Sequence, residues 1–119
     1  RGRGRNAPTI VRCIMFTING IDWNLIFVNG ASTDLLRSDG TISLAVTDWN
    51  RRSIFVSTAP KGAYLRRIIT HEICHAICFS YDIELPLEQE EILCDFVATY
   101  GDEVFSIVDM VLSASRRVV

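Results

Sequence analysis

The sequence contains no apolar run of the roughly 18 to 20 residues that a membrane-spanning helix needs. Its beginning, RGRGRNAP, has arginines but no apolar core behind them, so it lacks the pattern of a secretory signal. We therefore predict a cytoplasmic protein with no membrane partner. Residues 1–8 are interpreted as a flexible basic N-terminus, and a nucleic-acid partner is not predicted from so short an arm.

Disorder and multiple domains are excluded by composition and length. The 119 residues are 49% hydrophobic and 22% charged, which is typical of a folded globular protein. A chain of this length buries one core and is too short for a second. We predict a single domain over residues 9–119.

Basic residues are missing from the stretch that holds both histidines. Lys and Arg are absent from residues 68–115, while Asp and Glu recur throughout it. Acidic surroundings favour a cation site, although solvated acidic helix faces give the same pattern. Four cysteines are expected to be reduced, since no secretory signal is seen. They are Cys13, Cys74, Cys78 and Cys94.

Periodicity changes along the chain from strands to helices. Alternating β-branched and aromatic residues flank Asn19-Gly20, a dipeptide typical of a type I′ turn, and predict a hairpin over residues 12–29. The other predicted elements are a helical turn at 31–37, strands at 41–47 and 53–58, and helices at 64–80, 87–100 and 102–115. This order predicts an α+β domain, with an antiparallel sheet of about three to four strands packed on about three C-terminal helices.

The run HEICH lies inside the first predicted helix. His71 and His75 are four residues apart, so both imidazoles can face one point on the same side of the helix, as a zinc ion requires. Glu72 lies about 100° round the helix, where its carboxylate can act as a general base on a water activated by the metal. Core histidines paired with backbone or carboxylates are the alternative interpretation.

A catalytic zinc usually takes three protein ligands and leaves a fourth position for water. The chain has only two histidines, so the third ligand must be an acid or a cysteine. Glu91 is preferred over Glu88, because apolar neighbours anchor this part of the helix in the core, and Glu90 remains its rival. Asp95, one turn later, would then accept the free ring N–H of His71. The candidates in the second predicted helix are Glu88, Glu90, Glu91, Cys94 and Asp95.

The thiols offer a competing site. Cys74 and Cys78 flank the histidine face and, with Cys94, allow a structural His/Cys zinc site to be drawn. Structural sites are closed by four protein ligands and have no use for Glu72. The catalytic arrangement is therefore preferred.

The run HEICH, followed after a short linker by EEILCDFVATYG, resembles the zincin metallopeptidases of gluzincin type. More closely, it resembles the ImmA/IrrE-like small metallopeptidases of prophages and mobile elements. The resemblance implies a minimal zincin-like domain that binds one Zn²⁺ per chain through His71, His75 and Glu91, with Asp95 behind a ligand. It also implies an edge strand, assigned to residues 53–58, that holds a peptide substrate by β-addition.

The predicted function is hydrolysis of a peptide bond in a protein or peptide substrate, with Glu72 as general base. A second donor beside zinc would help to polarise the carbonyl, and Tyr100, Tyr64 and Tyr81 are the candidates for this role. The alternatives are a non-catalytic zinc-stabilised module and a degenerate zincin that binds a partner without cutting it. The family's Glu-Ala-Asn run reads Glu-Ile-Leu-Cys-Asp here, and the chain has no room for a separate DNA-binding domain. We therefore do not extend the family's role in cutting a repressor to this protein. The oligomeric state is left open.

Overall fold

The computed structural model describes residues 10–118 and has the α+β architecture predicted from the sequence. Strands come first and helices after them. The elements are β1 (Ile10–Ile18), β2 (Ile21–Val28), a short 3₁₀ turn (Thr33–Leu35), β3 (Ala45–Asp48), β4 (Ser53–Ser57), α1 (Gly62–Ser80) and α2 (Leu87–Val118). The predicted flexible N-terminus, residues 1–8, lies outside the described residues.

The first hairpin forms as its turn dipeptide predicts. Asn19 and Gly20 both have positive φ angles, 51° and 75°. A type I′ turn requires this at its two central residues, and asparagine and glycine adopt it at the least cost. The turn sets the antiparallel register of β1 and β2, in which Phe16 pairs with Trp23.

The sheet is mixed, with strand order β1-β2-β4-β3. β1 pairs with β2 and β3 with β4 in antiparallel fashion, but β2 and β4 are parallel. The expected wholly antiparallel sheet is therefore wrong for one of its three strand pairs. The chain leaves β2, forms β3 at the sheet edge and returns as β4 in the interior, so local hairpin signals do not reveal this order.

The interior position of β4 overturns the assignment of residues 53–58 as the edge strand that holds a substrate. All five residues of Ser53–Ser57 are buried, because β4 has a hydrogen-bonded neighbour on each side. The edge strands of the sheet are β1 and β3, and β3 is only four residues long. β3 packs against α1, and the cleft described below lies between them.

One face of the sheet forms the core with α1. Trp23 and Ile54 are fully buried in it, and Ala76 of α1 packs against the same cluster. The Trp23 indole Nε1–H donates a buried hydrogen bond of 2.8 Å to Ser80 Oγ at the end of α1. Helix α1 is thus fixed to the sheet at its C-terminal end by a polar contact as well as by apolar packing.

The second and third predicted helices are one continuous helix, α2, of 32 residues. Gly101 was expected to separate them, but it lies inside the helix. A glycine in a helix interior costs only about 1 kcal/mol relative to alanine, so apolar and helix-forming neighbours on both sides outweigh it. The domain therefore has two C-terminal helices where about three were predicted.

The outer end of α2 extends away from the rest of the domain. The molecule measures 67 × 34 × 27 Å, and the long axis reflects this helix. Within residues 10–118, no helix combines the length and the apolar character needed to cross a membrane.

Candidate metal centre

The HEICH residues lie in the middle of α1, on the side that faces β3 and the beginning of α2. His71 and His75 are one turn apart, and their rings meet edge to face with centroids 4.8 Å apart. His75 is buried and His71 is partly buried. Glu72 is also buried, at 8% exposure, which is unusual for a carboxylate and requires partners.

Glu91 brings its carboxylate to the two histidines from α2. Its Oε1 lies 2.9 Å from His71 Nε2 and its Oε2 lies 3.2 Å from His75 Nε2. The two Nε2 atoms are 3.1 Å apart. Within residues 10–118, these three form the one group of His, Cys, Asp and Glu side chains whose ligand atoms lie within 4.8 Å of one another.

These distances fit the donor set of a tetrahedral zinc ion. With Zn–N and Zn–O bonds of about 2.0 to 2.2 Å, neighbouring ligands of a tetrahedron are separated by roughly 3.3 Å. The three measured separations, 2.9, 3.1 and 3.2 Å, are close to that value. Nitrogen lone pairs and carboxylate oxygens that converge in this way repel one another unless a proton or a metal cation lies among them. Two imidazoles and one carboxylate are also a known zinc donor set.

Two further carboxylates of α2 hold the outer nitrogens of the histidine rings. His71 Nδ1 is 2.8 Å from Asp95 Oδ1, and His75 Nδ1 is 2.5 Å from Glu90 Oε2. A carboxylate only accepts hydrogen bonds, so each Nδ1 would donate its proton to the acid beside it when a metal occupies Nε2. The lone pairs on the two Nε2 atoms would then face Glu91 and the metal. The two carboxylates thus suit the tautomer and the ring orientation that metal binding needs.

The arrangement gives Glu90 and Glu91 different positions. Glu91 faces both Nε2 atoms, whereas Glu90 contacts the far side of the His75 ring. Neighbouring residues on a helix point about 100° apart, so only one of two consecutive glutamates can reach the same point. From the sequence, Glu90 was predicted only as a rival ligand. Two consecutive acids that face two histidines could have indicated that one acid binds the metal and the other holds a histidine ring.

Thr47 of β3 is a site residue that the sequence did not reveal. Its hydroxyl lies 2.7 Å from Glu72 Oε1, to which it donates, and 3.2 Å from the Glu72 backbone carbonyl. The contact spans 25 residues and depends on β3 lying over α1. No local sequence pattern around Thr47 predicts this contact with Glu72.

A cleft of about 190 Å³ opens between β3 and the two helices at this point. His71, Glu72, His75, Glu90 and Glu91 lie along its wall together with Thr47. A neighbouring hollow of about 270 Å³ shares His71 and Glu72 and continues toward the beginning of α1. Its wall carries Arg37, Tyr64 and Arg67.

The tyrosines proposed as carbonyl-polarising donors differ in position. Tyr100 is half-exposed on α2, where its ring packs on Phe96 with centroids 5.4 Å apart. It is not among the residues that line the cleft or its extension, and neither is Tyr81. Tyr64 does line the extension. The structure therefore offers no placement that supports Tyr100 in the proposed role.

Three of the four free thiols lie where α1 faces α2. Cys94 and Cys78 are buried and Cys74 is partly buried. Burial is the main cause that raises the pKa of all three thiols above the usual range. A buried thiol with a raised pKa resists becoming the thiolate that metals bind. The cysteines do not join a histidine in a ligand group within residues 10–118, so the competing His/Cys site is not formed there.

Comparison with known protein families, with curated proteins and with solved structures finds no match to this chain. Function must therefore be argued from the site, because an α+β fold by itself hosts many activities. The relevant observations are the three converging ligand atoms, the buried glutamate beside them and the cleft onto which both open.

Proposed function

We propose that this protein is a zinc-dependent peptidase with its active centre at His71, His75 and Glu91. The observation that carries the proposal is the meeting of two Nε2 atoms and one carboxylate at 2.9 to 3.2 Å, with the buried Glu72 in the same cleft. The buried Glu72 favours a catalytic over a structural zinc site. A structural site is closed by four protein ligands and needs no additional carboxylate beside the metal.

The three residues would hold one zinc ion per chain. When bound, zinc lowers the pKa of a coordinated water and polarises a substrate carbonyl. Asp95 and Glu90 would keep the proton of each ring on Nδ1. The lone pairs of both Nε2 atoms would then stay free to bind the metal.

Glu72 would serve as the general base. Thr47 donates to its Oε1, so we assign proton transfer to Oε2. This oxygen would take a proton from the attacking water and pass it to the leaving amine of the peptide bond. A carboxylate whose rotamer is locked by a neighbour needs less reorganisation when the proton moves.

A peptide substrate would lie along the free edge of β3. Edge strands present unpaired backbone groups that can pair with an extended peptide. Arg37 and Arg67 would make one end of this path favourable for acidic side chains. We place the enzyme in the cytoplasm as part of this proposal, because its four cysteines are free thiols and thiols persist in reducing compartments.

Metal analysis of the purified protein tests the ligand set. We expect about one zinc per chain in the wild type and in Glu72→Gln, and loss of zinc in His75→Ala and Glu91→Ala. Glu88→Gln, in the first turn of α2, is the matched control and should keep its zinc. Zinc that stays bound in Glu91→Ala would contradict the assigned ligand set.

Peptidase activity tests the catalytic role separately. The zinc-loaded wild type and Glu72→Gln are incubated with a degenerate peptide library, and products are identified by mass spectrometry. We expect cleavage by the wild type and none by the variant, although both bind zinc. Equal product patterns would refute the role of Glu72. Zinc binding without any cleavage would favour the alternative, a zinc-stabilised interaction module.

A further inference from the structure

The outer half of α2, residues 101–117, exposes an unusual amount of apolar surface. Its large apolar side chains range from 42% to 66% exposed. Apolar surface this continuous on a folded domain marks an interaction site more often than a solvated face. The side chains are Val104, Phe105, Ile107, Val108, Met110, Val111 and Leu112.

The spacing of these residues follows a seven-residue repeat. Starting from Leu93, apolar residues recur at alternating intervals of four and three along α2. Valine occupies every position that corresponds to a in a heptad, and position d is apolar or aromatic throughout. The a residues are Val97, Val104 and Val111, and the d residues are Leu93, Tyr100, Ile107 and Ala114. Such a 3.5-residue period is the pattern by which helices pair side by side.

Three charged residues of this segment lie on the opposite side of the helix. Asp102, Asp109 and Arg116 fall at position f, which points away from a partner in a paired helix. Asp102 is already bound to Arg66 of α1, at 2.8 and 2.9 Å. The a and d positions of residues 101–117 contain no charge that would oppose burial.

We infer that residues 101–117 of α2 bind the same segment of a second copy of this chain as an antiparallel two-helix pair. The two charged residues at position g determine the orientation. In an antiparallel pair g faces g, so Glu103 of one helix meets Arg117 of the other, and this occurs twice by symmetry. In a parallel pair g faces e, and Glu103 would meet Val108 instead.

The antiparallel arrangement also fits the shape of the molecule. The globular parts lie at one end of each long helix, so they come to opposite ends of the pair and do not collide. Met110 lies next to its own copy near the centre, where its flexible side chain can fill the remaining space. Both clefts stay open, because the metal ligands belong to the first two turns of α2 and to α1.

Light scattering of the 119-residue chain tests the pairing. We expect the wild type to have twice the monomer mass, and the double variant Val104→Glu with Ile107→Glu to have the monomer mass. Both positions are about half exposed in the monomer, so the substitutions should not disturb folding. The matched control Ser106→Glu with Ser113→Glu adds the same charge at position c of the same helix and should remain a dimer. Circular dichroism and thermal unfolding verify that all variants are folded.

Charge exchange tests the orientation. Arg117→Glu should weaken dimerisation by roughly tenfold, because two favourable pairs become unfavourable. Adding Glu103→Arg to it should restore the affinity. Equal dimer affinity in all three proteins would overturn the antiparallel arrangement.

Other occupants of this surface give different results. A wild type that is monomeric at tens of micromolar overturns the inference, whether or not it binds zinc. A monomer that cosediments with vesicles of phosphatidylglycerol and phosphatidylcholine would instead identify the segment as a membrane-surface helix. Neither result bears on peptidase activity, so the inference fails or survives separately from the proposed function.

Discussion

The Thr47 hydroxyl donates a hydrogen bond of 2.7 Å to Glu72 Oε1, which joins the edge strand of the sheet to the acid of the HEICH run. Glu72 is buried, so the contact also satisfies a carboxylate oxygen that has little access to water. It couples the position of β3 to that of the proposed base.

Removal of this hydroxyl should slow catalysis without releasing the metal. We expect Thr47→Val to lower kcat by about tenfold to a hundredfold, because Glu72 loses the partner that fixes its rotamer, while zinc content stays near one per chain. Thr47→Ser keeps the hydroxyl and should retain most of the activity. A loss of zinc in Thr47→Val would show that the residue supports the ligands and not the base.

Glu90 should affect zinc affinity without being a ligand. We expect Glu90→Gln to weaken zinc binding by about tenfold to a hundredfold, since the carboxylate that holds His75 Nδ1 is replaced by a weaker acceptor. Competition with a chromogenic chelator measures the affinity. Glu88→Gln serves as the control in the same helical turn. An unchanged affinity in Glu90→Gln would argue that its contact with His75 is dispensable.

The buried contact between Trp23 and Ser80 should contribute to stability. Ser80→Ala leaves the indole N–H of a fully buried tryptophan without a partner, which costs about 1 to 3 kcal/mol. Urea unfolding followed by tryptophan fluorescence gives the change in the free energy of unfolding. Ser80→Thr keeps the hydroxyl and should lose less stability than Ser80→Ala.

Thiol labelling should separate Cys13 from the other cysteines. Burial raises the pKa of Cys74, Cys78 and Cys94, so at pH 8 they contain less thiolate than an ordinary cysteine and should react slowly with iodoacetamide. Cys13 is exposed and should react first. Mass spectrometry should find one fast adduct per chain, absent in Cys13→Ser. Rapid labelling of three or four thiols in the native protein would contradict this packing.

Arg67 should influence which peptides are preferred. It lines the extension of the cleft, and Arg67→Gln is expected to raise KM about fivefold for peptides with an acidic residue near the cleaved bond, with kcat unchanged. Neutral peptides should be unaffected. Arg66→Gln removes the same charge from the neighbouring residue, which is paired with Asp102, and should leave KM unchanged.

Local signals in the sequence were sufficient for the hairpin at Asn19-Gly20 and for the placement of HEICH in a helix. They predicted a helix end at Gly101, because glycine often ends a helix. The helix continues there, since apolar and helix-forming residues lie on both sides of Gly101. The parallel pairing of β2 with β4 depends on contacts between distant residues, so the identity of the edge strand was assigned wrongly.

Within the candidate site, helical spacing predicted that His71 and His75 could face one point, and Glu91 was the preferred acid of the next helix. The structure brings the ligand atoms of these three residues together. Helical spacing did not distinguish the orientation of Glu90 from that of Glu91. This depends on how α2 is rotated against α1, and the packing of the two helices determines it. Thr47 was missed for the same kind of reason, since it reaches Glu72 only through the tertiary position of β3.

The shortness of β3 has a consequence for the kind of protein that the proposed peptidase would cut. A peptide that pairs along a four-residue strand is held over about 13 Å, which limits recognition to a few consecutive residues. Those residues must be extended and free of their own hydrogen-bonded partners before they bind. The expected targets are therefore segments between domains, exposed loops and unstructured tails, and a compact folded protein would be resistant until it opens locally.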